Sequence, residues 1–490
     1  MKEIDTDTKN LARKIECEDD GLYFNRFFMK KRFGQSMIIG RHHPVMQAAL
    51  DRTMLSPDHP DFISRLIINI PPGYTKTEQA AIHYMARGLA VSPRARFLHL
   101  SYSSDLALQN SSTTREIVKS QEYQAMWPVK TKEDMDSKST WWTEESGGIR
   151  AASAGGQVTG FRAGHMENDR FTGALIIDDP VKPDDAYSAL KRQAVNDGFS
   201  ETISSRLAIE SVPIIVIMQR IHYDDLSGYL LRGGSGEKWY HLLMPVFINN
   251  SIPYPDENAH GILIPHGLEN GWLWPYKHNE EHADALKSHR RKFQSQYEQD
   301  PPKHDAEQML WLEEDIKKAS EGLFDTPKRT VVAVDPAISN TKTSDEHGII
   351  VATSHGKDRY VIDADYTRRG SPNDWAMAAI YAYEKHDAAA IVVETNQGGD
   401  MVIETLRNAG FKNRIIEVKA SKGKVARSEP IAALYAQGFV KHTHALNKLE
   451  KEMLDFDPVL GLSNAKSPNR VDAMVWALTE LSKHGSFLVS

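Results

Sequence analysis

Apolar residues in the first half of the chain fall into short runs separated by amphipathic, helix-compatible stretches. Four runs, Arg65–Ile70, Phe97–Tyr102, Ala174–Ile177 and Pro213–Met218, are apolar at most positions, as strands are when helices cover both faces of their sheet. Residues 140–164 are punctuated by glycine and rich in strand-forming residues, which indicates an inserted hairpin. The alternation predicts an α/β fold with a mostly parallel sheet.

The pattern weakens between residues 246 and 325, where several prolines and one helical stretch, His278–Gln299, indicate a linker subdomain. A new alternation then opens, with a hairpin at residues 347–366. Its other predicted elements are the strand Thr330–Val334, the helix Asp374–His386, the strand Ala389–Val393, the helix Val402–Ala409, the strand Arg414–Lys419 and a final helix from Ser467 and Pro468. We therefore divide the chain into residues 1–245, 246–325 and 326–490.

Composition narrows the class of protein. The 490 residues are 40% hydrophobic and 26% charged, which is the profile of a globular protein. A single cysteine, Cys17, allows no internal disulfide and favours a reducing compartment. The N-terminal MKEIDTDTKN does not resemble a signal peptide, and the apolar run Val212–Met218 is far shorter than the ~20 residues of a membrane span. We expect a soluble intracellular protein without membrane contact.

The formal net charge is −7, so binding to a polyanion would require a local basic patch. Residues 411–450 hold eight basic residues against three acidic ones. The basic residues are Lys412, Arg414, Lys419, Lys422, Lys424, Arg427, Lys441 and Lys448. A solvated face is the simpler interpretation of such a run.

A phosphate-binding loop is the first candidate site. The run Arg65–Ile70 leads into PPGYTKT at residues 71–77 and then into a helix-compatible segment. Backbone N–H groups and the helix N-terminus would face a triphosphate, Lys76 would neutralise its charge, and the Thr77 hydroxyl would ligate Mg²⁺. Ile70 and Thr75 stand where the common motif has glycines, so a capped helix with a surface lysine is the alternative.

A pair of acids supports the phosphate-loop interpretation. The strand Ala174–Ile177 ends in Asp178 and Asp179, about a hundred residues after the loop. Acids at the carboxyl end of a central strand are suited to hold Mg²⁺ and to activate water. We expect Asp178 to hold the metal and Asp179 to orient or deprotonate the attacking water, although a simple Asp-Asp-Pro turn is the alternative.

Three acids form the second candidate site. Asp335 and Glu394 each end a predicted strand, and Asp472 lies in the first turns of the final helix. Acids converging from two strands and a helix would repel one another unless two Mg²⁺ or Mn²⁺ ions joined them, and such ions activate water for attack on a phosphodiester. Asp345 is the candidate fourth ligand, with Asp363 and Asp365 as its competitors.

The basic run continues from the strand after Glu394 into SKGKVARSEP at residues 421–430, which we predict to be a loop. Beside a metal nuclease site this is where a DNA backbone would lie. Lys422, Lys424 and Arg427 are therefore the candidate phosphate contacts.

With both sites in place, the sequence resembles the large terminase subunit of tailed bacteriophages. The resemblance covers most of the chain and is carried by the two acid clusters and by HHPVMQAAL (42–50), IINIPPGYTKTE (67–78), LHLSYSSDLALQNSSTTREIV (98–118), GQVTGFRAG (156–164), ALIIDDPVK (174–182), VIMQRIHYDDLSGYLL (216–231) and FQSQYEQDP (293–301). It implies two domains, a P-loop ATPase of the ASCE or RecA-like type and a ribonuclease H-like nuclease. In one terminase subgroup the loop is proline-rich, with glycine before the lysine and Arg or His after the first glycine, so Thr75 and Tyr74 depart from it. Asp179 stands where the catalytic glutamate is usual.

The resemblance assigns further roles. It implies that Gln219 and Arg220 sense loss of the γ-phosphate, and that Arg162 reaches into a neighbouring subunit's ATP site, with an arginine solvating its own loop as the alternative. Adenine contacts are expected from His42, His43 and Gln47. The complete expected ATP-binding set is Pro72, Gly73, Tyr74, Thr75, Lys76, Thr77, Asp178, Gln219 and Arg220.

The family implies an ATP-driven motor that packages double-stranded DNA and a two-metal endonuclease that cuts it to start and end packaging. The expected cofactors are ATP and Mg²⁺ or Mn²⁺. The expected partners are double-stranded DNA, the small terminase subunit and the portal protein, with the chain in a homo-oligomeric ring, a pentamer, in the host cell cytoplasm. A helicase-nuclease needs a second RecA-like lobe that residues 246–325 are too short to supply, and a recombination nuclease would leave Lys76, Asp178 and Asp179 unused. A virion scaffold with a degenerate ATPase fold would not have kept both sets of acids.

Overall fold

The computed structural model describes residues 6–132, 137–156, 160–167, 169–186, 188–287, 290–303, 310–336, 346–356, 358–395, 399–420, 423–457, 462–463 and 467–483. Two predicted site residues, Asp345 and Lys422, lie outside the described residues. The chain divides into two compact units, one of residues 1–284 with 292–302, the other of residues 285–291 with 303–490. The predicted linker, residues 246–325, is thus divided between the two units.

The first unit contains a large, mostly parallel sheet. The strands of this unit are β1 (Arg65–Asn69), β2 (Arg96–Ser101), β3 (Thr140–Trp142), β4 (Gly148–Ser153), β5 (Gly173–Asp178), β6 (Ile214–Met218), β7 (Trp239–Leu243), β8 (Phe247–Ile248), β9 (Gly261–Leu263) and β10 (Gly271–Trp272). β8 and β10 form a separate antiparallel pair, and the other eight strands form the large sheet. The sheet order is β3-β4-β2-β5-β6-β1-β7-β9, and among these described strands only β3 runs antiparallel to its neighbour. β6 therefore lies between β1, which precedes the phosphate loop, and β5, which ends at the acid pair.

Both faces of this sheet are buried, which explains why its strands are continuously apolar. Successive side chains of a strand point to opposite faces, and in β1 Leu66 and Ile68 join one hydrophobic cluster while Ile67 joins another. In β5, Ile176 and Ile177 are divided between the same two clusters. The central strands are therefore held rigidly, and their carboxyl ends form a fixed edge for functional side chains.

The second unit is built on a mixed sheet. Its strands are β11 (Arg329–Asp335), β12 (Gly348–Ser354), β13 (Tyr360–Asp365), β14 (Ala390–Glu394), β15 (Ile415–Val418) and β16 (Val440–His442). Two further short strands, β17 (Phe456–Asp457) and β18 (Leu462–Ser463), form a separate antiparallel pair. The sheet order is β15-β14-β11-β12-β13-β16. β12 and β13 are antiparallel neighbours, so the predicted hairpin forms. β11 is antiparallel to β12 and parallel to β14, so the ends of β11 and β14 lie side by side.

Helices flank both sheets. They are α1 (Thr6–Asp19), α2 (Gly21–Phe33), α3 (His42–Arg52), α4 (Tyr84–Val91), α5 (Ser104–Lys119), α6 (Gln121–Met126), α7 (Ala189–Gly198), α8 (Leu226–Leu231), α9 (Glu280–Lys287), α10 (Arg290–Lys292), α11 (Glu313–Ala319), α12 (Pro372–Lys385), α13 (Gly399–Asn408), α14 (Lys424–Ala436), α15 (Asn447–Leu454) and α16 (Asn469–Lys483). A π-helical segment, Glu78–His83, precedes α4. None of the described helices combines the length and apolar character needed to cross a membrane.

The α/β prediction is confirmed, and each predicted strand of the first sheet lies within one residue of an observed one. The pattern missed β7, because Trp239–Leu243 contains Tyr240 and His241 in place of a continuous apolar run, yet β7 pairs with β1. The predicted loop at residues 421–430 was wrong where it is described, since α14 begins at Lys424. Burial of Ile431 and Tyr435 outweighs the hydrogen bond that Pro430 removes from this helix.

Candidate functional site

Lys76 joins the ends of three neighbouring strands in the first unit. It follows β1, and its ammonium lies 2.7 Å from Oδ1 of Asp179, which directly follows β5. The same ammonium donates a hydrogen bond to Oε1 of Gln219, the first residue after β6. Lys76 is 5% exposed, and a buried ammonium requires such partners because it has lost its hydration. The structure thus brings these three predicted site residues together.

The geometry around Asp178 fits a bound cation. The Thr77 hydroxyl donates to Oδ2 of Asp178 at 2.8 Å, while Oδ1 is buried and has no hydrogen-bond partner in the described part of the chain. Burial and the neighbouring charge of Asp179 raise the pKa of Asp178. A divalent cation would remove both penalties, because it favours the ionised carboxylate and gives the orphan oxygen a partner. Thr77 and Asp178 therefore suit Mg²⁺.

The phosphate loop adopts a conformation that its sequence does not favour. Thr75 has a φ of 56°, although β-branched residues avoid this left-handed region. The Thr75 hydroxyl compensates with short contacts, 2.8 Å to Nε2 of His43 and 2.7 Å to the carbonyl oxygen of Tyr74. Local strain of this kind persists only where the surroundings hold the backbone.

The predicted adenine contacts are buried within the first unit. The rings of His42 and His43 lie 3.8 Å apart, and burial lowers their pKa values to about 2 and about 4. Gln47 accepts hydrogen bonds from Asn25 and Gln79 and donates one to a carboxylate one turn later in its own helix, α3. In this conformation the Gln47 amide is engaged by the protein itself.

The two arginines that were predicted for the ATP site, Arg162 and Arg220, do not contact Lys76. Arg220 forms an ion pair with Asp225 in which Nε–H donates a bifurcated hydrogen bond to the two carboxylate oxygens, at 2.9 and 3.0 Å. Asp225 also accepts the backbone N–H of Gly228 and so caps α8. Arg162 is exposed, and no hydrogen bond or ion pair joins it to another residue that the structure describes. Neither arginine contacts the phosphate loop in this conformation.

Three predicted acids converge in the second unit. Asp335 ends β11, Glu394 ends β14, and Asp472 lies in the first turn of α16. Burial raises the pKa of Asp335 well above its usual value, and the charges of Asp472 and Glu394 raise it further. Nε1 of Trp476 donates to Oε2 of Glu394 at 2.6 Å and fixes that carboxylate.

Cationic side chains neutralise this acid cluster. Nζ of Lys424 lies 2.6 Å from Oδ2 of Asp472, and Nη2 of Arg427 lies 3.2 Å from Oδ1. Nη1 of Arg427 also lies 3.9 Å from Glu394, and its guanidinium stacks 4.7 Å from the Trp476 ring. Within the described ranges, no three acid, histidine or cysteine side chains are spaced to hold one metal ion. The carboxylate oxygens suit Mg²⁺ or Mn²⁺ in kind, but here Asp472 is paired with protein cations.

The second unit also matches a known family. Residues 332–481 match the family model described as the terminase ribonuclease H-like domain. The resemblance to the large terminase subunit is thereby confirmed for this part of the chain. No curated protein matches the chain.

Solved terminase structures are similar at low identity. The large terminase of bacteriophage HK97 is 12% identical over 94% of this chain and 99% of that chain, with a TM-score of 0.35. The large terminase of a thermophilic bacteriophage is 10% identical over 89% and 98% of the two chains, with a TM-score of 0.43. The nuclease domain of the large terminase subunit gp2 of bacterial virus Sf6 is 14% identical over 35% and 98%, with a TM-score of 0.27.

In the second unit, Arg470 is a residue with several ion pairs that sequence reasoning missed. Its buried guanidinium pairs with Glu346 of the segment before β12, with Asp365 of β13 at 2.9 Å and with Glu452 of α15 at 3.5 Å. Arg470 thus ties α16, which bears Asp472, to the hairpin. The only signal in the sequence was one arginine two positions before a predicted metal ligand.

The two competitors of Asp345 have other partners. Asp365 pairs with Arg470, and Asp363 accepts a hydrogen bond from the Thr353 hydroxyl at 2.6 Å. Both carboxylates therefore serve contacts within the hairpin and α16, while Asp345 lies outside the described residues.

Proposed function

We propose that this protein is the large subunit of a phage terminase, an ATP-driven motor for double-stranded DNA with a metal-dependent endonuclease. The observation that carries the proposal is the meeting of Lys76, Asp179 and Gln219 at adjacent strand ends, on a chain whose second unit matches a terminase nuclease family. Parallel α/β sheets bind their ligands at this edge. The acids and the loop together suit a nucleoside triphosphate.

In the motor, the Lys76 ammonium is the group that must change partners. It now pairs with Asp179 and Gln219, and the β- and γ-phosphates of ATP would draw it toward the loop. Release of Asp179 would leave its carboxylate able to accept a proton from water. Release of Gln219 would remove the hydrogen bond that joins Lys76 to the end of β6. Thr77 and Asp178 would hold Mg²⁺, which would supply neutralisation of the phosphate charge. Loss of the γ-phosphate reverses the exchange.

In the nuclease, Asp335, Glu394 and Asp472 would hold two divalent ions that activate water and stabilise the leaving oxygen. The raised pKa of the Asp335 carboxyl, which burial and the neighbouring charges of Asp472 and Glu394 cause, supports this role, since clustered acids favour a multivalent cation. Lys424 and Arg427 now neutralise Asp472, so any entering cation competes with them. Once displaced, the same two side chains are placed to contact a DNA phosphate.

The proposed assembly follows from the proposed family. We infer that the chain acts in the host cell cytoplasm as a homo-oligomeric ring on the portal protein, with the small terminase subunit and double-stranded DNA as its partners. The exposed side chain of Arg162 supports a contact beyond its own subunit.

The experiment uses the full-length protein with ATP, plasmid DNA and procapsids that carry the portal. We expect ATP hydrolysis that double-stranded DNA and portal-bearing procapsids stimulate, and DNA cleavage that requires Mg²⁺ or Mn²⁺ and stops in chelator. Cleavage without any ATP hydrolysis would contradict the motor assignment. Metal-independent cleavage would contradict the nuclease assignment.

A further inference from the structure

A short segment after β10 contacts the phosphate loop through the side chains of Lys277 and His278. The ammonium of Lys277 donates hydrogen bonds to the carbonyl oxygens of Gly73 and, at 3.4 Å, of Pro72. It also lies 5.3 Å from the centroid of the Tyr74 ring, over its face. The Tyr74 hydroxyl in turn lies 2.9 Å from Nδ1 of His278. Three consecutive loop residues are thus held by two neighbouring side chains.

The segment that carries Lys277 and His278 is itself held in place. The backbone N–H groups of Lys277 and His278 both donate to the carbonyl oxygen of Trp274, at 2.9 and 3.0 Å, which closes a turn. The Trp274 ring packs 5.6 Å from Tyr74 and 5.2 Å from His42. A side chain added at Gly73 would displace the Lys277 ammonium, and the φ of 74° at this position favours glycine. Partial burial lowers the pKa of Lys277.

The contact has a consequence for the direction of the loop amides. In a trans peptide the carbonyl and the following N–H point in opposite directions. Holding the carbonyls of Pro72 and Gly73 on the Lys277 side therefore directs the N–H groups of Gly73 and Tyr74 away from Lys277. Phosphate-binding loops depend on such N–H groups, and this loop lacks the glycine that usually lets residue 75 adopt a positive φ without strain.

We propose that Lys277 is a positioning residue for the nucleotide: its hydrogen bonds to the Gly73 and Pro72 carbonyls hold the loop amides in their phosphate-binding orientation. This inference rests on the proposed ATPase function. It predicts a role in affinity and not in the chemical step, because an ammonium bonded to the outer carbonyls contacts the loop backbone and acts on phosphate through it. Preorganisation of this kind lowers the cost of binding.

The test compares nucleotide binding and turnover in full-length variants. Lys277→Met keeps most of the aliphatic stem and removes the donors, and it should raise both the KM for ATP and the Kd for ADP by roughly tenfold, the loss of about one charge-assisted hydrogen bond. We expect kcat to change by less than about twofold. Lys277→Arg should restore both constants to within roughly threefold of the original, while Lys9→Met, at an exposed lysine of α1, should leave them unchanged.

The outcomes separate the inference from the proposed function. If Lys76→Ala abolishes nucleotide binding while Lys277→Met binds ADP as tightly as Lys9→Met, the positioning role is overturned and the ATPase stands. A fall in kcat at constant KM and Kd would also overturn it. If the unmodified protein neither binds nor hydrolyses ATP, the proposed function fails first. Should Lys277→Met not fold, Lys277→Leu, which likewise removes the donors, provides the same comparison.

Discussion

At the scale of single residues, the phosphate loop shows how protein groups stabilise a buried charge. Lys76 is almost fully buried and pairs with Asp179 and Gln219, both of which the sequence assigned to the same site. The ammonium of Lys76 pairs with the Asp179 carboxylate. In the proposed motor, nucleotide binding and activation of that acid would be linked through this one ammonium group.

Replacing Lys76 with Met tests this link directly. The variant loses the cation that neutralises the transferred phosphates, so ATP hydrolysis should fall by at least about 10²-fold. Metal-dependent DNA cleavage by the same full-length protein should persist, because Lys76 lies in the first unit. Phosphate release and plasmid nicking measure the two activities, with Lys9→Met as the matched control. Unchanged hydrolysis in Lys76→Met would end the phosphate-loop assignment.

Asp335 gives the corresponding prediction for the nuclease. Asp335→Asn keeps the size of the side chain and removes its charge, so Mn²⁺-dependent plasmid cleavage should fall by at least about 10²-fold. The metal-free variant should melt no lower than the unmodified protein, because burial beside Asp472 and Glu394 already disfavours the charged carboxylate. Asp363→Asn is the control, since Asp363 contacts Thr353 and not this cluster. Full cleavage by folded Asp335→Asn would exclude the proposed metal role.

The sequence predicts which residues lie close together where the strand topology alone decides their positions. Asp335 and Glu394 end neighbouring parallel strands, so their proximity follows from strand order. Partners that depend on side-chain direction were not predictable: Arg220 adjoins Gln219, yet it turns to Asp225 and stabilises the start of α8. The sequence shows both arginine and aspartate there but not which acid the arginine selects.

At the scale of elements, the differences from prediction occur where packing outweighs local signals. Pro430 and the Ser-Lys-Gly stretch indicate a loop, but burial of Ile431 and Tyr435 makes α14 helical from Lys424. This places Lys424 and Arg427 in the first turns of a helix, one turn apart, so that both reach Asp472. A helix is a more rigid support for these cations than the predicted loop.

Arg470 provides the element-scale prediction. It anchors α16 to the hairpin and to α15 through three carboxylates, and its removal would leave these acids without their shared cation. Arg470→Met should therefore lower the free energy of unfolding of the second unit by about 3 kcal/mol. Urea unfolding followed by tryptophan fluorescence measures the change. Arg414→Met, at an exposed arginine before β15, is the control, and equal stabilities of the two variants would refute the anchoring role.

At the scale of the whole molecule, two units carry two separate sets of candidate chemistry, and sequence motifs alone indicate both. A mostly parallel sheet could be expected from the alternation of apolar runs. The division of residues 246–325 between the units could not, because the short strands β8, β9 and β10 leave little periodicity. The segment that carries Lys277 and His278 and contacts the phosphate loop lies in this region. Its function depends on contacts with residues about two hundred positions earlier, which no local pattern reveals.

Arg162 gives the prediction that belongs to the assembled protein. Its exposed side chain lacks a described partner in its own chain, as expected for an arginine that stabilises phosphate charge in a neighbouring subunit's site. Arg162→Ala and Lys76→Ala should each abolish ATP hydrolysis alone. In mixed rings, however, an Arg162→Ala subunit retains Lys76 and can receive Arg162 from a Lys76→Ala neighbour.

An equimolar mixture should thus recover hydrolysis at roughly a quarter of the sites under random assortment in a head-to-tail ring. Phosphate release in the presence of DNA and portal-bearing procapsids measures this recovery, across a series of mixing ratios with the maximum expected near equality. Arg26→Ala, at an exposed arginine of α2, controls for the loss of surface charge and should remain active alone. If no mixture exceeds the summed activity of its two components, Arg162 acts within its own subunit or has no part in hydrolysis.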